Sequence, residues 1–80
     1  MKLNKYNQAF YEALSIDKEK DIKNLKYQDI DEWDSIGHMT LISNIEEKLG
    51  VVFETDDIVD FSSYKKGIEI LKKYEINLSK

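Results

Sequence analysis

The segment from Asp34 to Gly50 constrains the fold most, because its apolar residues recur with the period of a helix that is buried on one side. With about 3.6 residues per turn, five side chains fall on one stripe: His38, Leu41, Ile42, Ile45 and Leu49. Asp34 or Ser35 can cap the start, and Gly50 is the residue type expected just after a helix end. Ile36 and Met39 lie off the stripe, so we expect them on the opposite side of this helix.

Two further segments have helical spacing, and no stretch alternates in the way that predicts a strand. One runs from Leu3 to Leu14, with Asn4 as its expected N-cap. The other runs from about Ser63 to Tyr74. Its expected inward face consists of Tyr64, Gly67, Ile68, Leu71 and Tyr74.

Between these helices, the chain predicts one long loop and one short helix. Residues 15–34 have no sustained period but carry five large apolar residues, so we expect a loop pinned across the helices rather than a free linker: Ile16, Ile22, Leu25, Ile30 and Trp33. Thr55 is the expected cap of a short helix that ends at about Val59, with acids in its first turn. Residues 1–80 are thus expected to form a single all-α domain, a bundle of three main helices and a short third one.

Composition excludes several classes of function. There is no Cys for disulfides and a single His, so the fold has to rely on helix packing. All 12 basic residues are Lys and the net charge is −4, which argues against nucleic-acid binding. No apolar run approaches the ~20 residues of a membrane span, and the first residues do not resemble a signal peptide. We therefore expect a cytoplasmic monomer that does not insert into membranes.

The charge is distributed unevenly along the chain. Residues 29–60 hold ten acidic residues and one Lys, which gives this segment a net charge of −9, whereas the two flanks together carry +5. An acidic segment of this kind can be a solvated surface, or it can meet basic partners.

Ser35 is the candidate site, and three catalytic or metal-binding interpretations fail around it. A triad of Ser35, His38 and Asp34 would lie within one helical turn, with no second element to supply an oxyanion hole. A calcium loop starting at Asp29 has Asp34 where the sixth-position Gly belongs and Thr40 at the twelfth position, which requires Glu. A metal site on Asp34 and His38 lacks further ligands. We therefore expect no enzymatic activity from the chain itself.

The residues around Ser35 are similar to the signature of acyl carrier proteins. In that family, Asp-Ser-Leu, with Ile as a common variant, precedes a helix that ends in Glu-Glu-x-aromatic/aliphatic-Gly. Here Asp34-Ser35-Ile36 precedes a helix that ends in Glu46-Glu47-Lys48-Leu49-Gly50. The resemblance continues through Val51-Val52-Phe53 and Thr55-Asp56-Asp57-Ile58 to Phe61-Ser62-Ser63-Tyr64, and so covers most of the chain.

The resemblance implies an acyl-carrier-type four-helix fold and a covalent cofactor. A phosphopantetheinyl transferase would attach 4′-phosphopantetheine from coenzyme A to Ser35. The arm's thiol would then carry acyl groups as thioesters between loading and acyl-transferring enzymes, as in fatty acid or polyketide biosynthesis. The implied partner-recognition residues are Asp34, Ile36, Met39, Glu46, Glu47 and Asp56.

Two alternatives remain open at this point. One is an aminoacyl, D-alanyl or peptidyl carrier that is loaded by an adenylating enzyme. The other is a small helical interaction module in which Ser35 is unmodified and serves only as a helix cap. Trp33 and Gly37 depart from the commonest family pattern, and Gly37 is a poor helix former that costs up to ~1 kcal/mol.

Overall fold

A computed structural model describes residues 1–78, and this part of the chain is helical with no β-strand. Helix α1 spans Lys2–Ala13, α2 Ser35–Leu49, α3 Thr55–Asp60 and α4 Tyr64–Lys73. These bounds confirm the predicted order of three main helices and a short one. Among the described residues, no helix has both the length and the apolar character needed to cross a membrane.

Helix α1 begins earlier than its local sequence suggests. Its N-cap is Met1, so the prediction that Asn4 caps it is wrong. The first turn is instead fixed from a distance, because the backbone N–H of Leu3 donates to the carbonyl oxygen of Leu78 at 2.9 Å. This hydrogen bond joins segments far apart in sequence, and a capping pattern contains no information about it.

The long segment between α1 and α2 is pinned, as predicted. Ile22, Leu25 and Trp33 are buried within it. Its backbone is also hydrogen-bonded to the linker between α3 and α4 and to the first residue of α4: Tyr27 N–H donates to Ser62 O, and Tyr64 N–H donates to Leu25 O, both at 2.9 Å. The segment therefore forms one wall of the core.

Helices α3 and α4 differ from the predictions in two details. Glu54, and not Thr55, is the N-cap of α3, and no side chain caps that helix. Helix α4 starts as predicted, with Ser63 Oγ accepting from Lys66 N–H at 2.9 Å. However, Ile70 is buried, whereas the predicted Ile68 is only half-buried. The inward face of α4 is therefore rotated relative to the predicted one.

The core is dominated by aromatic rings contributed by distant parts of the chain. Tyr6 and Phe10 from α1 contact Trp33, Phe61 and Tyr64, with ring centroids 5.0–6.5 Å apart. The buried hydroxyl of Tyr6 donates to the carbonyl oxygen of Tyr64 at 2.6 Å, and burial raises the pKa of Tyr6 well above its ordinary value. Within the described residues, every buried polar side-chain atom has a hydrogen-bond partner.

Helix α3 is held to α4 by polar contacts centred on Asp57. This carboxylate is buried and accepts from the ammonium group of Lys73 and from the hydroxyl of Tyr74. The Tyr74 oxygen in turn accepts from Glu54 N–H at 2.9 Å, at the start of α3. The hydrogen bond from Lys73, and after it the one from Tyr74, lowers the pKa of Asp57. A six-residue helix is thereby fixed without a side-chain cap of its own.

The lowered pKa of Asp57 predicts how the stability of the protein against unfolding changes at acid pH. Because its pKa is lower in the folded state than in the unfolded state, its contribution is present above the ordinary carboxyl pKa of about 4 and is lost as pH falls below it. We expect Asp57→Asn to lower the urea midpoint at neutral pH and to flatten its decline between about pH 5 and about pH 2. Asp56→Asn, at the exposed neighbouring position, should keep the wild-type slope. An unchanged slope in Asp57→Asn would show that this carboxylate is not a source of the acid sensitivity.

Candidate functional site

Helix α2 starts at Ser35, but its cap is the preceding residue. Asp34 Oδ1 accepts from the backbone N–H of Gly37 at 2.8 Å, and Asp34 O accepts from His38 N–H at 2.7 Å. Ser35 is the first helical residue, and it is exposed. The Ser35 hydroxyl is therefore not the group that caps the helix.

Gly37 allows the loop before α2 to approach the first turn of the helix. A Cβ atom at this position would lie 1.9 Å from the carbonyl oxygen of Glu32 and 3.3 Å from a methyl carbon of Leu14. No real Cβ atom comes that close to a backbone oxygen, so glycine is the residue that fits here. The presence of Gly37 in the first turn of the helix thus has a structural reason, which is the close approach of the Glu32 carbonyl.

Trp33 has an equally specific role. Its indole ring is fully buried, and its Nε1–H donates to His38 Nδ1 at 3.0 Å. Because Nδ1 accepts, the neutral His38 ring carries its proton on Nε2, which lies 2.8 Å from the carbonyl oxygen of Ile58 and donates to it. These two hydrogen bonds connect the loop before α2, the helix itself and α3.

The same contacts leave the catalytic and metal interpretations without support. Both ring nitrogens of His38 are engaged, and the carboxylate of Asp34 is used in the cap. Neither is placed to activate Ser35 as a nucleophile. Nor do residues 1–78 contain a group of three or more ligating side chains positioned to hold a metal ion.

An apolar cavity of about 380 Å³ opens beside Ser35. Its walls come from α2, α3 and the loops that precede and follow them: Tyr27, Ser35, His38, Met39, Ile58, Val59, Phe61 and Ser62. At its rim, the Tyr27 hydroxyl lies 3.5 Å from Ser35 Oγ. The sequence predictions did not include this cavity. Val59 contributes to its wall from α3, and its exposure becomes evident only in the structure.

The outer face of α2 next to Ser35 is apolar and uncharged. Ile36 is 78% exposed and Met39 50%, which confirms that they lie off the buried stripe. The polar groups of the adjacent residues fold back onto the helix: Thr40 Oγ1 donates to Ile36 O at 3.0 Å, and Asn44 Nδ2 donates to Thr40 O at 2.9 Å. Val59 of α3 is 77% exposed and lies on the other side of the cavity. Apolar side chains therefore flank Ser35 from two helices.

The acidic residues predicted for partner recognition differ in how accessible they are. Glu47 and Asp56 are exposed. Glu46 is half-buried, and its Oε2 accepts from the backbone N–H of Phe53 at 2.8 Å, which fixes the linker between α2 and α3. Glu46 thus has a structural role that its position in the sequence did not reveal, and Glu47 is the freer of the two glutamates.

In comparisons with known proteins, no protein-family model, curated protein or solved structure matches the chain.

Proposed function

We propose that this protein is a free-standing acyl carrier protein that carries acyl groups on a 4′-phosphopantetheine arm attached to Ser35. The main observation in its favour is that Asp34 caps α2, so the exposed hydroxyl of Ser35 is left for modification. This observation also disfavours the interaction module in which Ser35 serves only as a cap. The proposal further implies that the protein is not itself an enzyme, because the arm and the partner enzymes supply the chemistry.

Attachment of the arm transfers the phosphopantetheinyl group from coenzyme A to Ser35. A phosphopantetheinyl transferase would direct Ser35 Oγ onto the phosphorus of coenzyme A that bears the pantetheine. An O–P bond would form, the pyrophosphate bond would break, and adenosine 3′,5′-bisphosphate would leave as the Ser35 hydroxyl loses its proton. The product is a phosphodiester with one negative charge. Among the first N–H groups of α2, that of Gly37 already donates to Asp34, whereas those of Ser35 and Ile36 have no partner within the helix and favour such an anion.

The surroundings of Ser35 fit a group that has to be presented to successive enzymes. Ile36, Met39 and Val59 form an exposed apolar patch around the attachment point. Glu47 and Asp56, the charged residues proposed for recognition, are exposed, and Glu47 lies further along α2 beside Lys5 and Gln8 of α1. A cluster of exposed apolar side chains is the usual centre of a protein docking surface. The cavity beside Ser35 could shelter the apolar part of a cargo between encounters.

The proposal predicts that the arm can be attached only through the hydroxyl oxygen of Ser35. After incubation with coenzyme A, magnesium and a broad-specificity phosphopantetheinyl transferase, intact mass spectrometry should show one added phosphopantetheine on the wild type and none on Ser35→Ala. Because Asp34 provides the cap, Ser35→Ala should keep the helical circular dichroism of the wild type.

Ser43→Ala is the matched control, since Ser43 is an exposed serine on the same helix. This variant should gain the arm as fully as the wild type does. A wild type that gains no mass, or a Ser35→Ala variant that gains as much, would show that the protein is not a carrier of this kind.

A further inference from the structure

Tyr27 is held next to the N-terminus of α2 by backbone hydrogen bonds and ring contacts. Its backbone N–H donates to Ser62 O, and the turn that follows it is closed by Gln28 N–H donating to Trp33 O at 3.1 Å. Its half-buried ring meets two others edge-on, with centroids 6.2 Å from Trp33 and 5.5 Å from His38. Trp33 and His38 are hydrogen-bonded to each other, so the two rings that contact Tyr27 are themselves held together.

The distance between the two hydroxyl groups is informative. Tyr27 Oη and Ser35 Oγ are 3.5 Å apart, which exceeds the 2.5–3.0 Å of an ordinary O–H···O hydrogen bond. The pair is therefore too far apart for a strong direct bond. A phosphoryl group on Ser35 Oγ would add oxygen atoms that extend beyond Oγ, and one of these could come within reach of the phenol.

Tyr27 also suits this role chemically. Lys and Arg do not occur among the residues that line the cavity, and both nitrogens of His38 are already engaged. A phosphodiester oxygen is anionic, and hydrogen bonds to ionised acceptors are shorter and stronger than neutral ones. The Tyr27 hydroxyl is a neutral donor that already lies at the rim beside Ser35.

We propose that Tyr27 is a positioning residue whose hydroxyl donates a hydrogen bond to the phosphodiester on Ser35 and directs the arm toward the mouth of the cavity. This inference rests on the proposed modification of Ser35. If the role of Tyr27 were purely structural, it would act through its ring alone. Phenylalanine could then replace it without a change in the ³¹P resonance of the phosphodiester.

The test compares Tyr27→Phe with the wild type after both have been loaded with the arm, and loading is verified by intact mass. We expect the ³¹P resonance of the phosphodiester to shift in Tyr27→Phe, while urea unfolding and circular dichroism stay close to the wild type. Tyr11→Phe is the control, because Tyr11 is also half-buried but does not line the cavity. It should leave the ³¹P resonance where it is.

A second measurement uses the unmutated chain and so does not depend on how the variant folds. With tyrosine labelled at ¹³Cζ, the resonance of Tyr27 should move when the wild type is loaded, and that of Tyr11 should not. If the wild type loads but neither the Tyr27 carbon nor the phosphorus responds, the role of Tyr27 is wrong and the carrier function stands. If the wild type accepts no arm, both proposals fail together.

Discussion

Replacing Gly37 with alanine is expected to destabilise the protein by about 3 kcal/mol, toward the upper end of the cost of overpacking. The added methyl carbon would lie 1.9 Å from the carbonyl oxygen of Glu32, and a backbone atom cannot move aside as the end of a flexible side chain can. Helix propensity alone predicts the opposite sign, since alanine in place of glycine stabilises a helix by about 1 kcal/mol. The sign of the change in unfolding free energy, measured by urea titration, therefore distinguishes the two expectations.

Ser43→Ala is the control for propensity within the same helix. Ser43 is exposed, so this variant should be as stable as the wild type or slightly more stable. A stabilised Gly37→Ala would mean that the loop at Glu32 does not lie against α2. We also expect Gly37→Ala to slow attachment of the arm, because displacement of residues 32–34 moves the cap and Ser35.

Replacing Trp33 with phenylalanine is expected to cost about 2–3 kcal/mol, through lost burial and a His38 nitrogen left without its donor. His38→Leu should cost about 2 kcal/mol, because it leaves the Trp33 N–H and the Ile58 carbonyl without their partners. The double variant should lose about 1 kcal/mol less than the sum of the two, since the Trp33–His38 bond can be broken only once.

The measurement for this cycle is urea unfolding followed by far-ultraviolet circular dichroism, because Trp33 is the single tryptophan and its fluorescence disappears with the mutation. A second cycle pairs Trp33→Phe with Phe53→Leu, two buried residues with no hydrogen bond between their side chains. That pair should be additive within about 0.5 kcal/mol. Additivity in the Trp33–His38 pair as well would rule out a stabilising bond between them.

Local patterns predicted the helices because local forces determine much of them. The stripe of α2, its end at Gly50 in the left-handed conformation, and the cap of α4 at Ser63 all follow from residues within a few positions of one another. The incorrect caps, Asn4 and Thr55, were predicted where distant parts of the chain decide the outcome. Leu78 fixes the start of α1, and Tyr74 fixes the start of α3.

In the candidate site too, features set by local sequence could be predicted, whereas features set by distant contacts could not. Exposure of Ile36 and Met39 could be predicted from one helical period, whereas the cavity could not, because its walls come from separate segments that share no periodicity. The structural roles of Trp33 and Gly37 depend on contacts with His38 and Glu32, which no local pattern identifies. The hydrogen bond between Glu46 and Phe53 could not be predicted for a similar reason, since it depends on how the linker turns.

The hydrogen bond between Tyr6 and Tyr64 has a consequence for the order in which this protein can be made. These residues are 58 positions apart, and the Tyr6 ring is completely buried against partners from both ends of the chain. Closing so long a loop costs entropy before any contact repays it. During synthesis on a ribosome, the core partners of α1 are therefore absent until α4 has been made. The chain would then form its native core only in a late, cooperative step.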